Sequence, residues 1–188
     1  PFTMKAEGGT RAVSQLHLAQ AEPQAVVLNS GVANAATGER GKLDALATCA
    51  EAGPLLGLRA EEVLVCSTGV IGKRLPMINL TSGLKELVPA LSAEGGAAAA
   101  PAIMPTDTVA KQPAVQCDGF AVGGMAMGAG MIHPVLATML AVLTTDYPLT
   151  REEADAILRP AVDATFNRIS VDGDCSTNDA VILLANGA

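Results

Sequence analysis

Ala137 and Thr138 are the two neighbouring residues of this chain whose types most clearly suggest a chemical reaction. They lie within an apolar run, residues 131–140, that follows a glycine-rich stretch. Cleavage of the bond between them would leave Thr138 with both its hydroxyl and a free α-amine. Because an α-amine titrates at about 7.7–8.0, it can activate the hydroxyl near neutral pH. That arrangement is an N-terminal threonine nucleophile, whereas an uncut threonine in such a run is an ordinary strand residue.

Residues 67–72, Ser-Thr-Gly-Val-Ile-Gly, form a second candidate for chemistry. They directly follow a short apolar run, residues 62–66, that predicts a buried strand. A turn that contains Thr68 and Gly69 can present backbone N–H groups and a hydroxyl at one point, which is the geometry that stabilises an oxyanion. The alternative interpretation is an ordinary turn at the end of a strand.

The residue types argue against several other kinds of site. His17 and His133 are the only histidines, which excludes a multi-histidine metal centre, and no metal is expected. We predict that each histidine is structural or exposed, since no Gly-x-Ser-x-Gly motif accompanies them. Cys66 lies at the end of a predicted strand, where a buried thiol is more common than a nucleophile.

Two further segments resemble ligand-binding loops only in part. Gly128-Ala-Gly130 begins like a dinucleotide-binding motif, but His133 stands where glycine or alanine is needed. Residues 172–179 begin like a calcium loop, yet Thr177 and Leu183 replace its glycine and its final glutamate. We therefore predict a close backbone approach or a sharp turn at the glycines and a hydrogen-bonded turn at residues 172–179.

Composition narrows the class of protein. The 188 residues are 49% hydrophobic but only 2% aromatic, which predicts an aliphatic core, and the net charge of −7 argues against nucleic-acid or anionic-membrane partners. No apolar run reaches the roughly 18 residues of a membrane span. The N-terminus lacks both a signal-peptide pattern and an initiator Met, so we expect an incomplete or processed chain. Four scattered cysteines predict reduced, mostly buried thiols and a cytoplasmic location.

The elements that must position these groups alternate along the chain. Helical spacing predicts helices at 42–51, at 76–91 and, behind the capping box that Thr150 opens, at 150–166, with a kink at Pro160. Residues 30–41 read as a loop, and residues 92–105 as a short helix or a loop. Apolar runs predict strands at 25–29, 62–66, 114–122 and 178–186. Interleaved strands and helices predict an α/β fold.

Several segments together strongly resemble one known family. They occur in a single order from about Ala25 to the C-terminus, and they include both candidate sites. The series resembles the ornithine acetyltransferase family, also called glutamate N-acetyltransferase or ArgJ, of arginine biosynthesis. The segments are residues 27–38, 66–72, 102–107, 122–132, 136–140 and 166–179.

The resemblance implies a fold, a reaction and roles for particular residues. The fold would be a layered α/β sandwich of the ArgJ/DmpA-like type. The precursor would cleave itself between Ala137 and Thr138, and Thr138 would then be the nucleophile, with Thr68 and Gly69 as the oxyanion hole. The enzyme would move acetyl from N-acetylornithine to glutamate through an acetyl-threonine. It would need no cofactor, with acetyl-CoA as an alternative donor.

The resemblance also implies how the chain is assembled. Residues 1–137 would be the α-chain-like portion that carries the oxyanion loop, and residues 138–188 the start of a β-chain-like portion. Two copies of each chain would form a heterotetramer. Because family members begin earlier and end later, we expect this sequence to be the central portion of such a protein or an unusually short relative.

Two positions depart from the family pattern. Met127 stands where the family usually has a substrate-contacting lysine, and Pro105 stands where it has a substrate-contacting threonine. Neither replacement can hydrogen-bond to a substrate carboxylate or amide in the same way. Two alternatives to the acetyltransferase therefore stay open. One is an N-terminal-threonine amidase or aminopeptidase-like hydrolase, and the other is a truncated relative without activity.

Overall fold

The computed structural model describes residues 8–133, 139–174 and 176–188, and these fall into two compact units. The N-terminal unit ends at Gly95, and the C-terminal unit comprises residues 96–188. Both units contain helices and strands, so the predicted α/β class is confirmed. The predicted division into residues 1–137 and 138–188 concerns chain cleavage, and it stays a prediction.

The N-terminal unit contains two parallel strands. β1 (Ala25–Val32) pairs with β2 (Val63–Val70), with Ala25 opposite Val63 and Val32 opposite Val70. Because the strands are parallel and in register, their carboxyl ends lie side by side. The helices of this unit are α1 (Gly9–Gln20), α2 (Gly38–Leu56) and α3 (Met77–Leu87), with 3-10 turns at Ala60–Glu62 and Val88–Ala90.

Small apolar residues form the core of the N-terminal unit. Helix α1 also contributes polar side chains that bond to the backbone of β2. Ser14 Oγ donates to the carbonyl of Val65 at 2.7 Å and accepts its N–H at 2.8 Å, while His17 Nδ1 lies 2.8 Å from the carbonyl of Val63. Among the described residues, β1 is the only strand that pairs with β2, and these buried side chains bond to backbone groups of β2 in place of another strand. The core cluster consists of Val13, Ala45, Cys49, Ala52, Val63, Val65 and Leu84.

The C-terminal unit is a mixed four-stranded sheet in the order β3–β4–β5–β6. β3 pairs with β4 and β4 with β5 in antiparallel fashion, whereas β5 and β6 are parallel. Helix α4 precedes the sheet, and helix α5 and a 3-10 turn lie in the crossover from β5 to β6. The bounds are α4 (Gly96–Ala102), β3 (Ala114–Gln116), β4 (Ala121–Met127), β5 (Leu140–Thr145), α5 (Arg151–Ala164), the turn Phe166–Arg168 and β6 (Ala180–Ala185).

The structure corrects several predicted boundaries in the N-terminal unit. β1 and β2 both continue beyond their predicted ends, so the predicted loops at 30–41 and 67–72 are wrong over their first residues. Helix α2 begins earlier than predicted and passes through Pro54 to Gly57, whose φ of 71° closes the helix. Helix α1 was not predicted, because much of its buried face is polar or small rather than apolar.

The C-terminal unit follows its local signals more closely. The predicted capping box at Thr150 is confirmed, since its hydroxyl accepts the N–H of Glu153 at 3.3 Å and the Glu153 carboxylate accepts the N–H of Thr150 at 2.9 Å. Pro160 lies inside α5 and does not divide it, since the helix runs continuously from Arg151 to Ala164; the kink stays a prediction. Within the described ranges, no helix combines the length and the apolar character needed to cross a membrane.

Candidate active site

The carboxyl ends of β1 and β2 position the two residues that the sequence singles out as an oxyanion hole. Thr68 lies opposite Ser30, and Gly69 lies opposite Gly31. Thr68 is 5% exposed, whereas Gly69 is exposed at the end of the strand. We predicted a turn here, but both residues belong to the paired strand. Parallel pairing, rather than a loop, therefore sets where their backbone groups lie.

Gly69 occupies a position that only glycine fits. Its φ is +124°, and a Cβ built on it would lie 2.3 Å from the carbonyl carbon of Gly31 and 2.5 Å from its oxygen. Such distances are far below van der Waals contact, and both atoms belong to the backbone. Gly31 itself has a φ of +112°, with open space around its missing side chain. The close approach of the two strand ends thus depends on Gly69.

A hydrogen bond between the side chains of Asn29 and Ser67 connects the two strands just before these glycines. Ser67 Oγ donates to Asn29 Oδ1 at 2.5 Å, and Asn29 Nδ2 donates to the carbonyl of Val32 at 3.0 Å. Because Asn29 and Ser67 are opposite each other in the ladder, this bond ties β1 to β2 through side chains as well as backbone. The strand ends are consequently held in register on the side next to Thr68.

Asn34 fixes the loop that follows β1. The residue is fully buried and has a φ of +53°, a conformation that few residues other than glycine adopt. Its Nδ2 donates to the carbonyl of Gly41 at 2.9 Å, its Oδ1 accepts the hydroxyl of Thr37 at 2.9 Å, and its carbonyl accepts the N–H of Gly9 at 3.0 Å. These bonds offset the backbone strain and join the loop to α1 and α2.

The segment after β2 is attached to the same loop and helix. The N–H of Gly72 donates to the carbonyl of Ala35 at 2.9 Å. Arg74 bonds to the buried carboxylate of Asp44 through two nitrogens, at 2.6 and 2.9 Å, and this bidentate contact raises the pKa of the arginine. Backbone and ionic contacts therefore hold the chain on both sides of Thr68 and Gly69.

Buried cysteines and histidine in the N-terminal unit do not supply a nucleophile. Burial raises the pKa of the Cys66 thiol to about 12, and burial together with the charge of Glu61 raises that of Cys49 to about 12. A neutral thiol is a weak nucleophile, so the predicted structural role of Cys66 is supported. His17 is buried against the backbone of β2, which confirms its predicted structural role.

In the C-terminal unit, Met127 lies at the end of β4 opposite the first residue of β5. It is 1% exposed, and its sulfur lies 3.3 Å from the N–H of Leu140, which donates to it. The position at which the resemblance implies a substrate-contacting lysine is thus occupied by a buried, uncharged side chain. This position adjoins the start of β5, which follows Thr138 in the sequence.

The segment around Pro105 reaches the same strand end. Pro105 is exposed, but the carboxylate of Asp107 is fully buried and accepts the N–H of Gly128 at 2.8 Å. The Lys111 ammonium bonds to the same oxygen, and the second carboxylate oxygen of Asp107 has no hydrogen-bond partner among the residues that the structure describes. Pro105 lies two residues before Asp107 in the sequence, and Met127 directly precedes Gly128. Both positions that depart from the resemblance are therefore close in sequence to the hydrogen bond between Gly128 and Asp107.

The proposed cleavage site itself, Ala137–Thr138, lies outside the described residues. Residues on both sides of it are described, and both sides form hydrogen bonds with residues 172–179, which begin like a calcium loop in sequence. Asp172 accepts the N–H groups of Met131 and Ile132 at 2.6 and 3.0 Å, and Asp179 accepts that of Met139 at 3.0 Å. Within the segment, Asp172 also accepts the N–H of Asp174 at 3.3 Å and Ser176 Oγ accepts that of Asn178 at 3.2 Å, so the predicted hydrogen-bonded turn is supported. Sequence reasoning attached no role to Asp107, Asp172 or Asp179.

The glycine-rich strand β4 serves packing. A Cβ on Gly124 would lie 2.7 Å from a methyl group of Leu143 and 2.9 Å from the carbonyl of Val142 on β5. The close approach or sharp turn predicted from the sequence concerns Gly128 and Gly130 instead, and Gly128 has a φ of +148°, a conformation that favours glycine. Among residues 8–133, 139–174 and 176–188, no cluster of His, Cys, Asp and Glu side chains could hold a metal ion.

Comparisons with known proteins identify relatives of this chain. The model of the ArgJ family matches residues 4–188. Arginine biosynthesis bifunctional protein ArgJ of Thermobifida fusca is 50% identical over 175 residues, which cover 93% of this chain and 46% of that protein. The protein of the same name from Streptomyces avermitilis is 55% identical over 164 residues, which cover 87% of this chain and 43% of that protein.

Solved structures show the same relationship in three dimensions. Ornithine acetyltransferase of Mycobacterium tuberculosis, crystallised with ornithine, matches with a TM-score of 0.67 and 40% identity over 74% of this chain and 75% of that one. ArgJ of Bacillus halodurans matches with a TM-score of 0.62 and 37% identity over 72% of each chain.

Fold and sequence together define an α/β protein of the kind found in these bifunctional proteins of arginine biosynthesis. The chain belongs to the ArgJ family. It spans a little under half the length of the curated relatives that it matches.

Proposed function

We propose that this chain is part of an autoprocessing N-acetyltransferase that moves acetyl from N-acetylornithine to glutamate. The observation that carries the proposal is the family match across residues 4–188, which includes Thr68, Gly69, Ala137 and Thr138. The names of the similar proteins, arginine biosynthesis bifunctional protein and ornithine acetyltransferase, support the substrate class. The acyltransferase reaction, the substrates and the assembly of two α and two β chains all belong to the proposal.

The first step of the proposal is cleavage of the Ala137–Thr138 bond. The Thr138 hydroxyl attacks the carbonyl carbon of Ala137, and the C–N bond breaks as an ester forms and the proton passes to the nitrogen. One water then hydrolyses the ester, which leaves a carboxylate on Ala137 and a free hydroxyl and α-amine on Thr138. That amine is the base that the hydroxyl needs in the next reaction.

The second step is acetyl transfer in two halves. The Thr138 hydroxyl attacks the acetyl carbon of N-acetylornithine, its proton passes by way of the α-amine to the leaving amine, and ornithine departs. The α-amine of glutamate then attacks the acetyl-threonine and regenerates the hydroxyl. Donors at Thr68 and Gly69 would stabilise the oxyanion of each tetrahedral intermediate. Their rigid strand-end position supports this role, because preorganised donors need no rearrangement during the reaction.

No cofactor takes part in this scheme, and acetyl-CoA is the alternative acetyl donor. A cytoplasmic location is part of the proposal as well. It is supported by the described cysteines, Cys49, Cys66 and Cys117, which are free thiols.

Intact-mass analysis of the purified chain tests the first step. We expect two fragments whose masses sum to 19.0 kDa plus one water, and a single uncut mass for Thr138→Ala. Thr144→Ala is the matched control, because Thr144 is an exposed threonine of β5. Thr138→Ser should still be cut, since serine retains the hydroxyl. An uncut wild-type chain would contradict the proposal.

One observation favours a second candidate function, hydrolysis. Met127 is buried and its sulfur accepts a backbone N–H, so it offers no charge to the carboxylate of an amino-acid acceptor. With water as the acceptor, the acetyl-threonine would release acetate. Incubation of the cut protein with N-acetylornithine, with and without glutamate, separates the two functions. Without glutamate, transfer predicts at most one ornithine released per enzyme and no acetate, with continued turnover to ornithine and N-acetylglutamate only when glutamate is present. Continued release of acetate regardless of glutamate supports hydrolysis.

A further inference from the structure

The chain on the N-terminal side of the cleavage site is held by Asp172. One carboxylate oxygen accepts the N–H of Met131 at 2.6 Å, and the other accepts that of Ile132 at 3.0 Å and that of Asp174 at 3.3 Å. The N–H of Val171 also donates to the carbonyl of Ile132 at 2.8 Å. Both oxygens of Asp172 are therefore engaged with backbone, and residues 131–132 are bonded through three of their own polar groups.

The chain on the C-terminal side is held by Asp179. Its Oδ1 accepts the N–H of Met139, the residue that follows Thr138, at 3.0 Å. The N–H of Ala180 donates to the carbonyl of Met139 at 3.0 Å, and the parallel ladder begins directly afterwards with Leu140 opposite Ala180. Met139 thus has both of its backbone groups bonded to residues 179–180.

Apolar packing joins the two flanks. Ile132 and Met139 are buried at 4% and 9% exposure in one cluster, against which Phe166 packs. Met131 has a φ of +56°, a conformation that costs a non-glycine residue energy unless its surroundings enforce it. Bonds from Met131 to Asp172 supply that enforcement, and they also lower the pKa of the Asp172 carboxyl.

We propose that Asp172 and Asp179 are positioning residues for cleavage of the Ala137–Thr138 bond, because they hold the backbone on both sides of it. This inference rests on the proposed function. Attack by a hydroxyl on the carbonyl just before it depends on orientation, and Asp172 and Asp179 fix the described residues that flank this bond in the sequence. The two aspartates act on the geometry of the segment and take no part in proton or acyl transfer. We call residues 171–174 and 176–180, among which are the partners in these bonds, the bracketing segment.

The side-chain chemistry predicts a graded response to substitution. Asp172→Asn replaces one of the two accepting oxygens by an amide group that donates. It should therefore weaken the hydrogen bonds that hold Met131 and Ile132. Asp179→Ala removes the acceptor for the Met139 N–H, whereas Asp179→Asn retains one oxygen that can still accept it. Asp174→Asn is the matched control, since no hydrogen bond of its carboxylate occurs among the described residues and it lies in the same segment.

The experiment follows the fraction of full chain cut over time, by intact mass, in the wild type and these variants. We expect Asp172→Asn and Asp179→Ala to slow cutting about tenfold or more, the change that loss of one charge-assisted hydrogen bond corresponds to. Asp179→Asn should lie within a few-fold of the wild type, and Asp174→Asn should equal it. Thermal melts identify any variant that is merely unfolded.

Leu84→Ala separates positioning from general loss of stability. Leu84 belongs to the core cluster of the N-terminal unit, and no residue of the bracketing segment is a member of that cluster, so its truncation lowers stability without removing any of the bonds described above. If Asp172→Asn and Asp179→Ala slow cutting no more than Leu84→Ala does, or not at all, the positioning role is overturned. If the wild type itself is never cut, the proposed function fails instead, so the two failures are distinguishable.

Discussion

The geometry of Gly69 leads to the sharpest stability prediction for this protein. Replacement of Gly69 by alanine adds a Cβ that lies 2.3, 2.5 and 2.7 Å from the carbonyl carbon, the oxygen and the Cα of Gly31. All three are backbone atoms in a paired strand, so no side-chain rotation can relieve the overlap. β1 and β2 must separate at their carboxyl ends, or the backbone at residue 69 must leave its φ of +124°.

The magnitude follows from two independent contributions. A non-glycine residue in a sparsely populated backbone conformation costs about 1–3 kcal/mol, and forced overpacking costs roughly 1–3 kcal/mol more. The expected loss for Gly69→Ala is therefore about 2–6 kcal/mol, a large share of the roughly 5–15 kcal/mol by which folded domains are stable. We also expect the variant to lose activity, because the displaced atoms belong to the proposed oxyanion hole.

Gly31→Ala is the matched control for this prediction. Gly31 has a similar φ of +112° and is the ladder partner of Gly69, but its Cβ would meet nothing within 4 Å. It therefore carries only the conformational cost, about 1–3 kcal/mol. Urea unfolding followed by far-ultraviolet circular dichroism measures both variants, since the chain has no Trp for fluorescence. If Gly69→Ala is no less stable than Gly31→Ala, the close approach of the strand ends is not as described.

The remaining predictions concern a helix, the thiols and an acidic group. Gly83 is exposed inside α3 with open space around it, so Gly83→Ala should stabilise the chain by about 0.5–1 kcal/mol, measured as a higher urea midpoint. Because their pKa values are about 12, Cys49 and Cys66 should resist alkylation at pH 8 in the folded protein, whereas the partly exposed Cys117 reacts; peptide mapping checks this. The pKa of Asp172 is lowered from 3.8 by its backbone hydrogen bonds. The stabilisation that the ionised Asp172 carboxylate contributes should be complete above pH 3.8 and lost as the pH falls through its lowered pKa in the folded protein. The wild type and Asp172→Asn should therefore converge in stability in strong acid.

Local signals explain the parts of the fold that sequence alone could predict. The capping box at Thr150 depends on residues three positions apart, and the structure contains it as predicted. The buried state of Cys66 follows from its place at the end of an apolar run in the sequence. Each of these features requires information from only a few neighbouring residues, which a periodic or spaced pattern records directly.

Long-range bonds explain the parts that sequence could not predict. Helix α1 carries buried Ser14 and His17 on the face that meets β2, so its face is not apolar and its pattern gave no clear helical signal. The extension of β1 and β2 through Gly31 and Gly69 depends on their pairing across the ladder, whereas glycine in sequence indicates a turn. In both cases, contacts with residues distant in the sequence determine the secondary structure.

The acidic residues near the cleavage site show the same limit. Residues 172–179 resemble a calcium loop in composition because aspartates at close spacing suit either a cation or a series of backbone N–H groups. Only the position of Met131, Ile132 and Met139 reveals which partners Asp172 and Asp179 have. A sequence pattern could point to the segment as polar and turn-forming, but the residues that it holds are about 40 positions away.

In the proposed function, cleavage and acceptor choice draw on different groups and can vary independently. The groups that hold the flanks of Ala137–Thr138 bond to backbone, and none of those bonds involves the side chain of Met127 or Pro105. A chain could therefore keep its cutting machinery while its affinity for an amino-acid acceptor changes. The mass measurement should consequently precede the assay with glutamate, because a cut chain without glutamate dependence implicates the acceptor site, whereas an uncut chain implicates the nucleophile. The substitution at Met127 bears only on the first of these outcomes.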